Sequence, residues 1–127
     1  MDQFTKTSPM TLLVCGSRSW SDHLAIRAVL QRYKDLNEGD ILVLSGGARG
    51  SDRLATVEAM RMGLHVAEIN PIPNHYGQQA ESARNSWLVR LADEMVAFWD
   101  GESPGTMDII QKCTATGVPF TIYEPGD

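Results

Sequence analysis

Five short segments of the chain are apolar along most of their length rather than at alternate positions. They cover residues 11–16, 41–46, 64–69, 94–100 and 119–123. Strands of this kind have to be covered on both faces, as in a parallel sheet that lies between two layers of helices. This pattern constrains the fold more than any other feature of the sequence, and it predicts an α/β domain with a five-stranded parallel sheet.

Apolar residues recur at helical spacing between these segments. The first stretch places Ile26, Val29, Leu30 and Tyr33 on one face, which is the i, i+3, i+4, i+7 pattern of a core-packed helix. Further helices are predicted over 51–62, 79–91 and 106–116. Because crossovers between parallel strands are right-handed, the alternation predicts a single Rossmann-like domain with helices on both faces. The domain is expected to span 10–127, after a loose polar arm at 1–9.

The composition is that of an ordinary globular protein of 127 residues, with 43% hydrophobic and 21% charged residues. No apolar run approaches the roughly 20 residues that span a bilayer, and the N-terminus lacks the layout of a signal peptide. Cys15 and Cys113 lie far apart in the sequence, and reduced thiols are the default for such a pair. We therefore expect a cytoplasmic protein with no membrane partner.

The net charge of −5 at pH 7 bears on the choice of partner. A protein that follows a polyanionic backbone normally carries a basic stripe. The composition therefore argues against a nucleic-acid partner. A small anionic ligand remains compatible with it, because such a ligand needs only a local cluster of amides and one or two cations.

Three strand-to-helix turns are rich in glycine, serine and threonine, namely CGSRSWSD, SGGARGSD and WDGESPGT. They follow the first, second and fourth strands, and ligands of open parallel sheets bind beyond the carboxyl ends of the strands. Each turn leads into a helix N-terminus, whose free amides and positive dipole end suit a phosphate or a carboxylate. A single turn of this kind is also compatible with a tight connection that binds nothing, but three together favour a ligand site.

The loops do not match the two common nucleotide fingerprints. GGARGSD lacks the Gly-Lys-Ser/Thr ending of a P-loop, and the first strand is followed only by Gly16 rather than by G-x-G-x-x-G. An ATPase and an ordinary NAD-dependent dehydrogenase are therefore disfavoured. No cysteine–histidine cluster has the spacing of a metal site, so no metal site of that kind is predicted.

Charged and aromatic side chains near the loops are candidate ligand groups. Arginine is the natural fork for phosphate, and the arginines near the loops are Arg18, Arg49, Arg53 and Arg84. Asp52 is either a ligand group or a helix cap, and Asp100 can bind a ribose hydroxyl or a metal or stabilise its own turn. Trp20 and Trp99 flank the loops, where an indole can stack on a base. The helix over 79–91 is expected to face the core with Ala80, Ala83, Trp87 and Leu91.

Four segments in this order, VCGSRSW, LSGGARGSDRLA, ARNSWLV and AFWDGESPGT, carry a family resemblance. They resemble the YspA/CpYpsA-related branch of the SLOG superfamily, which also includes the LOG phosphoribohydrolases and the DNA-processing protein DprA. The resemblance covers residues 10 to 123. It implies a Rossmann-like domain that binds a nucleotide or a nucleotide-derived ligand of the NAD or ADP-ribose kind, and it implies a homodimer. Magnesium is a candidate companion of that ligand.

The resemblance also implies a ligand site with contributions from all four segments. The residues carried over are Gly16, Ser17, Arg18, Gly46, Gly47, Ala48, Gly50, Asp52, Arg84, Asn85, Gly105 and Thr106. The loops themselves add Arg49 and Asp100 as ligand-binding candidates. The last loop is also expected to cap its helix at Thr106.

One departure from the family concerns catalysis. LOG enzymes carry Pro-Gly-Gly-x-Gly-Thr-x-x-Glu, whereas DGESPGTMDII places Ile109 at the glutamate position and Asp108 one residue earlier. One residue along a helix is about 100° of rotation, so Asp108 is expected to face a different direction from the LOG glutamate.

The sequence leaves three hypotheses for the function: a nucleotide-binding sensor or scavenger, a nucleotide hydrolase in which Arg84 holds the phosphate and Asp108 assists, and a DprA-like DNA-handling protein.

Overall fold

The structure, a computed structural model, describes residues 9–48, 50–72 and 79–126. Strands and helices alternate along these residues. In chain order they are β1 (Met10–Gly16), α1 (His23–Leu36), β2 (Ile41–Ser45), α2 (Ser51–Arg61), β3 (His65–Glu68), α3 (Ala80–Leu91), β4 (Glu94–Phe98), α4 (Pro104–Thr116) and β5 (Phe120–Tyr123). Apart from Pro9, the predicted loose arm lies outside the described residues.

The five strands form one parallel sheet in the order β3-β2-β1-β4-β5. β1 is central, and its Leu13 pairs with Leu44 of β2 on one side and with Met95 of β4 on the other. The chain therefore adds β2 and β3 on one side of β1, and then crosses back to add β4 and β5 on the other side. The strand order reverses between β1 and β4, which is where an open α/β sheet leaves a crevice at its carboxyl edge.

Alternate residues of β1 enter two separate cores. Leu12 and Val14 pack with residues of α1 and α2 on one face of the sheet. Leu13 and Cys15 pack with residues of α3 and α4 on the other face. The prediction of a Rossmann-like domain with a five-stranded parallel sheet covered on both faces is confirmed. In the described part of the chain, no helix is long and apolar enough to cross a membrane.

The predicted inward face of α3 is confirmed at Ala80, which is buried, but it is wrong at Trp87 and Leu91. Trp87 is 49% exposed and Leu91 is 51% exposed, and Trp87 lies under the guanidinium of Arg90 instead. The face that meets the sheet carries Asn85 and Leu88, which are buried. A buried amide is stable here because Asn85 is hydrogen-bonded to two neighbouring side chains.

Gly50 allows the loops after β1 and β2 to touch. Its φ is +72°, and a Cβ there would lie 2.3 Å from the Ser17 carbonyl oxygen and 2.5 Å from that of Arg18. The next residue, Ser51, donates its N–H to the Ser17 oxygen at 3.3 Å. The two loops therefore form one packed unit at the carboxyl edge of the sheet.

We predict that Gly50→Ala lowers the free energy of unfolding by about 2–4 kcal/mol, because the methyl group clashes with backbone and φ is unfavourable for alanine. Gly63→Ala is the matched control, since Gly63 has φ +74° but a Cβ there meets no heavy atom within 4 Å in the described part of the chain. Its loss should be about 1 kcal/mol. Urea unfolding of both variants measures the difference, and equal losses would contradict the contact between the loops.

Candidate functional site

A cavity of about 520 Å³ lies at the carboxyl ends of β1 and β4, where the strand order reverses. The loops after β1, β2 and β4 and one face of α3 form its walls. The predicted site residues around it are Gly16, Ser17, Arg18, Ala48, Asp52, Arg84, Asn85, Asp100, Gly105 and Thr106. The structure therefore brings together most of the residues predicted from the sequence, and their contact with a ligand stays a prediction.

Ser17 connects the first loop to the other two. Its N–H donates to the Phe98 carbonyl at 2.8 Å, and its hydroxyl accepts the N–H of Asp100 at 3.0 Å. Its own carbonyl accepts the N–H of Ser51. Ser17 is buried, so it holds the cavity wall in place, whereas the neighbouring Arg18 extends a largely exposed side chain at the mouth.

Three glycines of the second loop allow its backbone to come close to neighbouring groups. Gly46 makes room for Arg84, whose Nη1 would lie 2.5 Å from a Cβ at that position. Gly47 has φ +73° and lies against the side chains of Glu68 and Asn70. In the described part of the chain, Gly46, Gly47 and Gly50 do not line the cavity. Arg49, the remaining predicted residue of this loop, lies outside the described residues.

The N-terminus of α4 opens on the cavity. Ser103, rather than the predicted Thr106, caps it, and its hydroxyl oxygen accepts the N–H of Thr106 at 3.4 Å. Pro104 follows at the first helical position, where its missing N–H is harmless. Gly105 comes next, with no heavy atom within 4 Å of a Cβ there in the described residues. The first turn of α4 carries no acidic residue, so its positive dipole end is uncompensated by a carboxylate of the helix itself.

The N-terminus of α1 does not contribute to this cavity, contrary to the expectation from the sequence. Six residues separate it from β1, and Asp22 caps it by accepting the N–H of Ala25 at 3.1 Å. Trp20 is buried against Phe98 and donates to the Asp22 carbonyl. Trp99 packs on the opposite core and donates to the Ser103 carbonyl. Neither indole lines the cavity in the described part of the chain, so the structure does not place an indole there to stack on a base.

Arg84, Asn85 and Asp108 form a hydrogen-bonded chain between α3 and α4. Arg84 Nε donates to Asn85 Oδ1 at 2.8 Å, and Asn85 Nδ2 donates to Asp108 Oδ2 at 2.9 Å. Lys112 Nζ completes the chain at 2.6 Å from Asp108 Oδ1. Asp108 lies outside the cavity wall, where Ile109 stands instead. The helical rotation expected from the sequence therefore separates Asp108 from this cavity.

Two aspartates at the cavity have shifted pKa values of opposite sign. Burial raises the pKa of Asp52 to about 6, although the Ala48 N–H and the charge of Arg84 act against that shift. The pKa of the exposed Asp100 is lowered, first because the Glu102 N–H donates to it at 2.9 Å, and also because of the Ser17 and Ser19 hydroxyls. Asp100 is therefore ionised at neutral pH, whereas Asp52 is half protonated near pH 6.

Among the described residues, the cavity offers neither a thiolate nor a cluster of metal ligands. Burial raises the pKa of Cys15 well above its ordinary value, so the thiol stays protonated at neutral pH. Within the described residues, no group of three or more histidine, cysteine, aspartate or glutamate side chains is placed to hold a metal ion. The described residues therefore do not fit a magnesium ion that is held by protein side chains alone.

Glu81 is a cavity residue that the sequence did not indicate. It lines the mouth from the first turn of α3 and lies 3.9 Å from both Arg18 and Arg84. The sequence could have indicated Glu81 as a site residue, because it lies three residues before Arg84 and residues at i and i+3 share a helix face. Glu81 was not predicted because Trp87 and Leu91 were assigned to the inward face of α3.

The comparisons with known proteins agree with this geometry. The family model of the YspA, cpYpsA-related SLOG family matches residues 10–75. The chain belongs to this family. A relative of this SLOG domain, the Gene 61 protein of Mycobacterium phage D29, is 30% identical over 114 residues, which cover 85% of this chain and 91% of that protein.

Solved structures share the fold of the SLOG domain. DNA processing protein A from Helicobacter pylori matches with a TM-score of 0.72 at 17% identity, over 91% of this chain and 65% of that chain. The structural-genomics protein TM1055 matches with a TM-score of 0.66 at 23% identity, over 87% of this chain and 72% of that chain. The SLOG domain thus spans slightly less than two thirds of the Helicobacter protein.

The argument from net charge against a nucleic-acid partner is wrong. The Helicobacter protein that shares this fold has a single-stranded DNA binding mode. Net charge describes the whole surface, whereas a polyanion contacts only a part of it and responds to the local potential there. An acidic total therefore does not exclude this class of partner.

We predict that Asp52→Asn stabilises the domain above pH 6 and has little effect near pH 4. The pKa of Asp52 is about 6 in the folded protein and about 4 when unfolded. Between these values the folded state binds more protons, so the contribution of Asp52 to the free energy of unfolding falls as pH rises. Above pH 6 the variant should gain about 2–3 kcal/mol.

Urea unfolding of wild type and Asp52→Asn at pH 4 and pH 7.5 measures this difference. Asp40→Asn is the control, because it removes an exposed carboxyl in the turn before β2. A stability gain in Asp52→Asn that is the same at both pH values would contradict the raised pKa.

Proposed function

We propose that this SLOG domain binds a nucleotide or a nucleotide-derived ligand in the cavity between β1 and β4, as a sensor or a scavenger. The observation that carries the proposal is the open N-terminus of α4 at Gly105. The N–H of Gly105, at the second helical position, has no acceptor within the helix. A phosphate at this point gains from that amide and from the helix dipole.

The size and location of the cavity support the same proposal. About 520 Å³ is within the usual range for small-molecule sites, roughly 300–1,000 Å³. Arg18 and Arg84 supply cations at the wall, and guanidinium groups suit phosphate oxygens. Family membership agrees with a nucleotide-related role.

Asp100 is our candidate for a ribose contact. Its carboxylate is exposed at the end of β4, and its lowered pKa keeps it ionised at neutral pH. A carboxylate accepts hydrogen bonds from ribose hydroxyls, as at other switch-point sites. The proposal therefore favours a ligand that carries both a phosphate and a ribose, such as AMP or ADP-ribose.

Binding is better supported than hydrolysis by Asp108. Asp108 is hydrogen-bonded to Asn85 and Lys112 and lies outside the cavity wall. A general acid or base has to come within hydrogen-bond reach of the reacting group. Of the two residues suggested for catalysis, only Arg84 is at the cavity.

We predict that Gly105→Glu lowers the affinity for AMP at least about tenfold, because a carboxylate then faces the phosphate position. The same change should leave stability equal or slightly higher, since an acidic residue in the first turn suits the helix dipole. Gly105→Gln is the control of matched size without the charge, and it should lose less affinity. Calorimetry with AMP, ADP and ADP-ribose measures binding, and urea unfolding measures stability.

Equal losses in Gly105→Glu and Gly105→Gln would reject a phosphate at α4. Absence of binding by the wild-type protein, in calorimetry and in thermal shift with all three nucleotides, would overturn the proposed function. A ligand at a hundred times its Kd should raise the free energy of unfolding by about 2.7 kcal/mol.

Single-stranded DNA is a second candidate, because the fold is similar to that of a DNA processing protein A with a single-stranded DNA binding mode. Arg18 at the cavity mouth is 73% exposed and is placed to meet a backbone phosphate. We expect that fluorescence anisotropy with a labelled oligothymidylate will detect binding that weakens with salt. Weaker DNA binding in Arg18→Ala, relative to an Arg27→Ala control on α1, would support this use of the mouth, and equal binding would reject it.

A further inference from the structure

The guanidinium of Arg84 is held in one orientation by the protein. Nε donates to Asn85 Oδ1 at 2.8 Å, and Nη1 donates to the carbonyls of Gly46 at 2.9 Å and Ile69 at 3.2 Å. The side chain is only 9% exposed. Because its acceptors lie on the second loop, on the segment after β3 and on α3, this group cannot turn without breaking several bonds.

The remaining nitrogen of Arg84, Nη2, lies near Glu81. The distance from Nη2 to Glu81 Oε1 is 3.9 Å, which is an ion pair but too long for a hydrogen bond. The same oxygen lies 3.9 Å from Arg18 Nη2. One carboxylate oxygen is therefore shared between arginines from two different walls of the cavity.

These ion pairs can open at little cost. Glu81 is 65% exposed and Arg18 is 73% exposed, and exposed pairs are weak because solvent screens them and ordering two long side chains costs entropy. Arg84 cannot turn to meet Glu81 more closely, since the loops hold it. The pairing is thus electrostatic attraction without the hydrogen bonds that would make it strong.

We propose that the Glu81 carboxylate, an anion of the protein itself, competes with the ligand for Arg18 and Arg84. This inference rests on the proposed function and adds a charge requirement to it. A phosphate that enters the cavity can form short, charge-assisted hydrogen bonds with Nη2 of the fixed guanidinium, which Glu81 does not form. Glu81 then moves into solvent, and a ligand without an anionic group has nothing with which to displace it.

Glu81→Gln tests this competition, and Glu102→Gln is its matched control. Glu102 also carries an exposed carboxylate at the cavity, but in the described part of the chain it forms no ion pair with an arginine. Both changes remove one negative charge near the ligand. Only Glu81→Gln also removes the competitor for the two arginines.

We expect Glu81→Gln to raise the affinity for AMP about fivefold, as suits the loss of two weak ion pairs made by an exposed carboxylate. Glu102→Gln should raise it less than twofold. Adenosine, which has no phosphate, should bind both variants and the wild type alike. Isothermal titration calorimetry with AMP and adenosine measures all six affinities, and thermal unfolding confirms that the variants are folded.

Three outcomes would overturn the inference while leaving the proposed function intact. They are equal gains for AMP in the two variants, an equal gain for adenosine and AMP in Glu81→Gln, and a loss of AMP affinity in Glu81→Gln. The last would mean that Glu81 contacts the ligand. Failure of AMP, ADP and ADP-ribose to bind the wild type is a different result, which rejects the proposed function and this inference together.

Discussion

Ser17 holds together the three loops on which the cavity depends. Its N–H, carbonyl and hydroxyl bind Phe98, Ser51 and Asp100, so one buried residue joins the end of β1 to the end of β4 and to the start of α2. Gly16, immediately before it, lies so close to Phe98 that a Cβ would be 2.1 Å from the Phe98 oxygen. Parallel strands leave their last polar groups at a shared edge, and here those groups bind one another around the cavity.

The glycines of SGGARGSD have a structural role, whereas the sequence also suggested that they contact a ligand. Gly46 makes room for Arg84, and Gly50 allows the second loop to contact the first. The loop therefore acts on the site through other residues, by fixing the Arg84 guanidinium and by burying Asp52. A glycine-rich turn marks a place where backbone comes close to another group, and the sequence does not distinguish a ligand from a neighbouring side chain as that group.

Charge at the cavity is arranged differently from charge over the whole chain. The protein carries a net charge of −5, yet the helix N-terminus at Gly105 and the guanidinium of Arg84 give the cavity local positive groups. Acidic residues are also present, with the buried Asp52 in the cavity wall and Glu81 at the mouth. Binding of an anion at this site would depend on the balance among these few groups, which an average over the sequence does not describe.

Local patterns were sufficient to predict the order of strands and helices, the parallel sheet and the three loops at one edge, because each depends on neighbours in the sequence and on the general handedness of crossovers. The inward face of α3 was not predictable, because the burial of Asn85 depends on hydrogen bonds to Arg84 and Asp108. The position of Asp108 outside the cavity, in contrast, agrees with its one-residue offset in the sequence. By itself, the sequence determined which polar groups the loops carry. Only the tertiary structure decided that Glu81 lies between Arg18 and Arg84, because that contact joins α3 to a loop from the start of the chain.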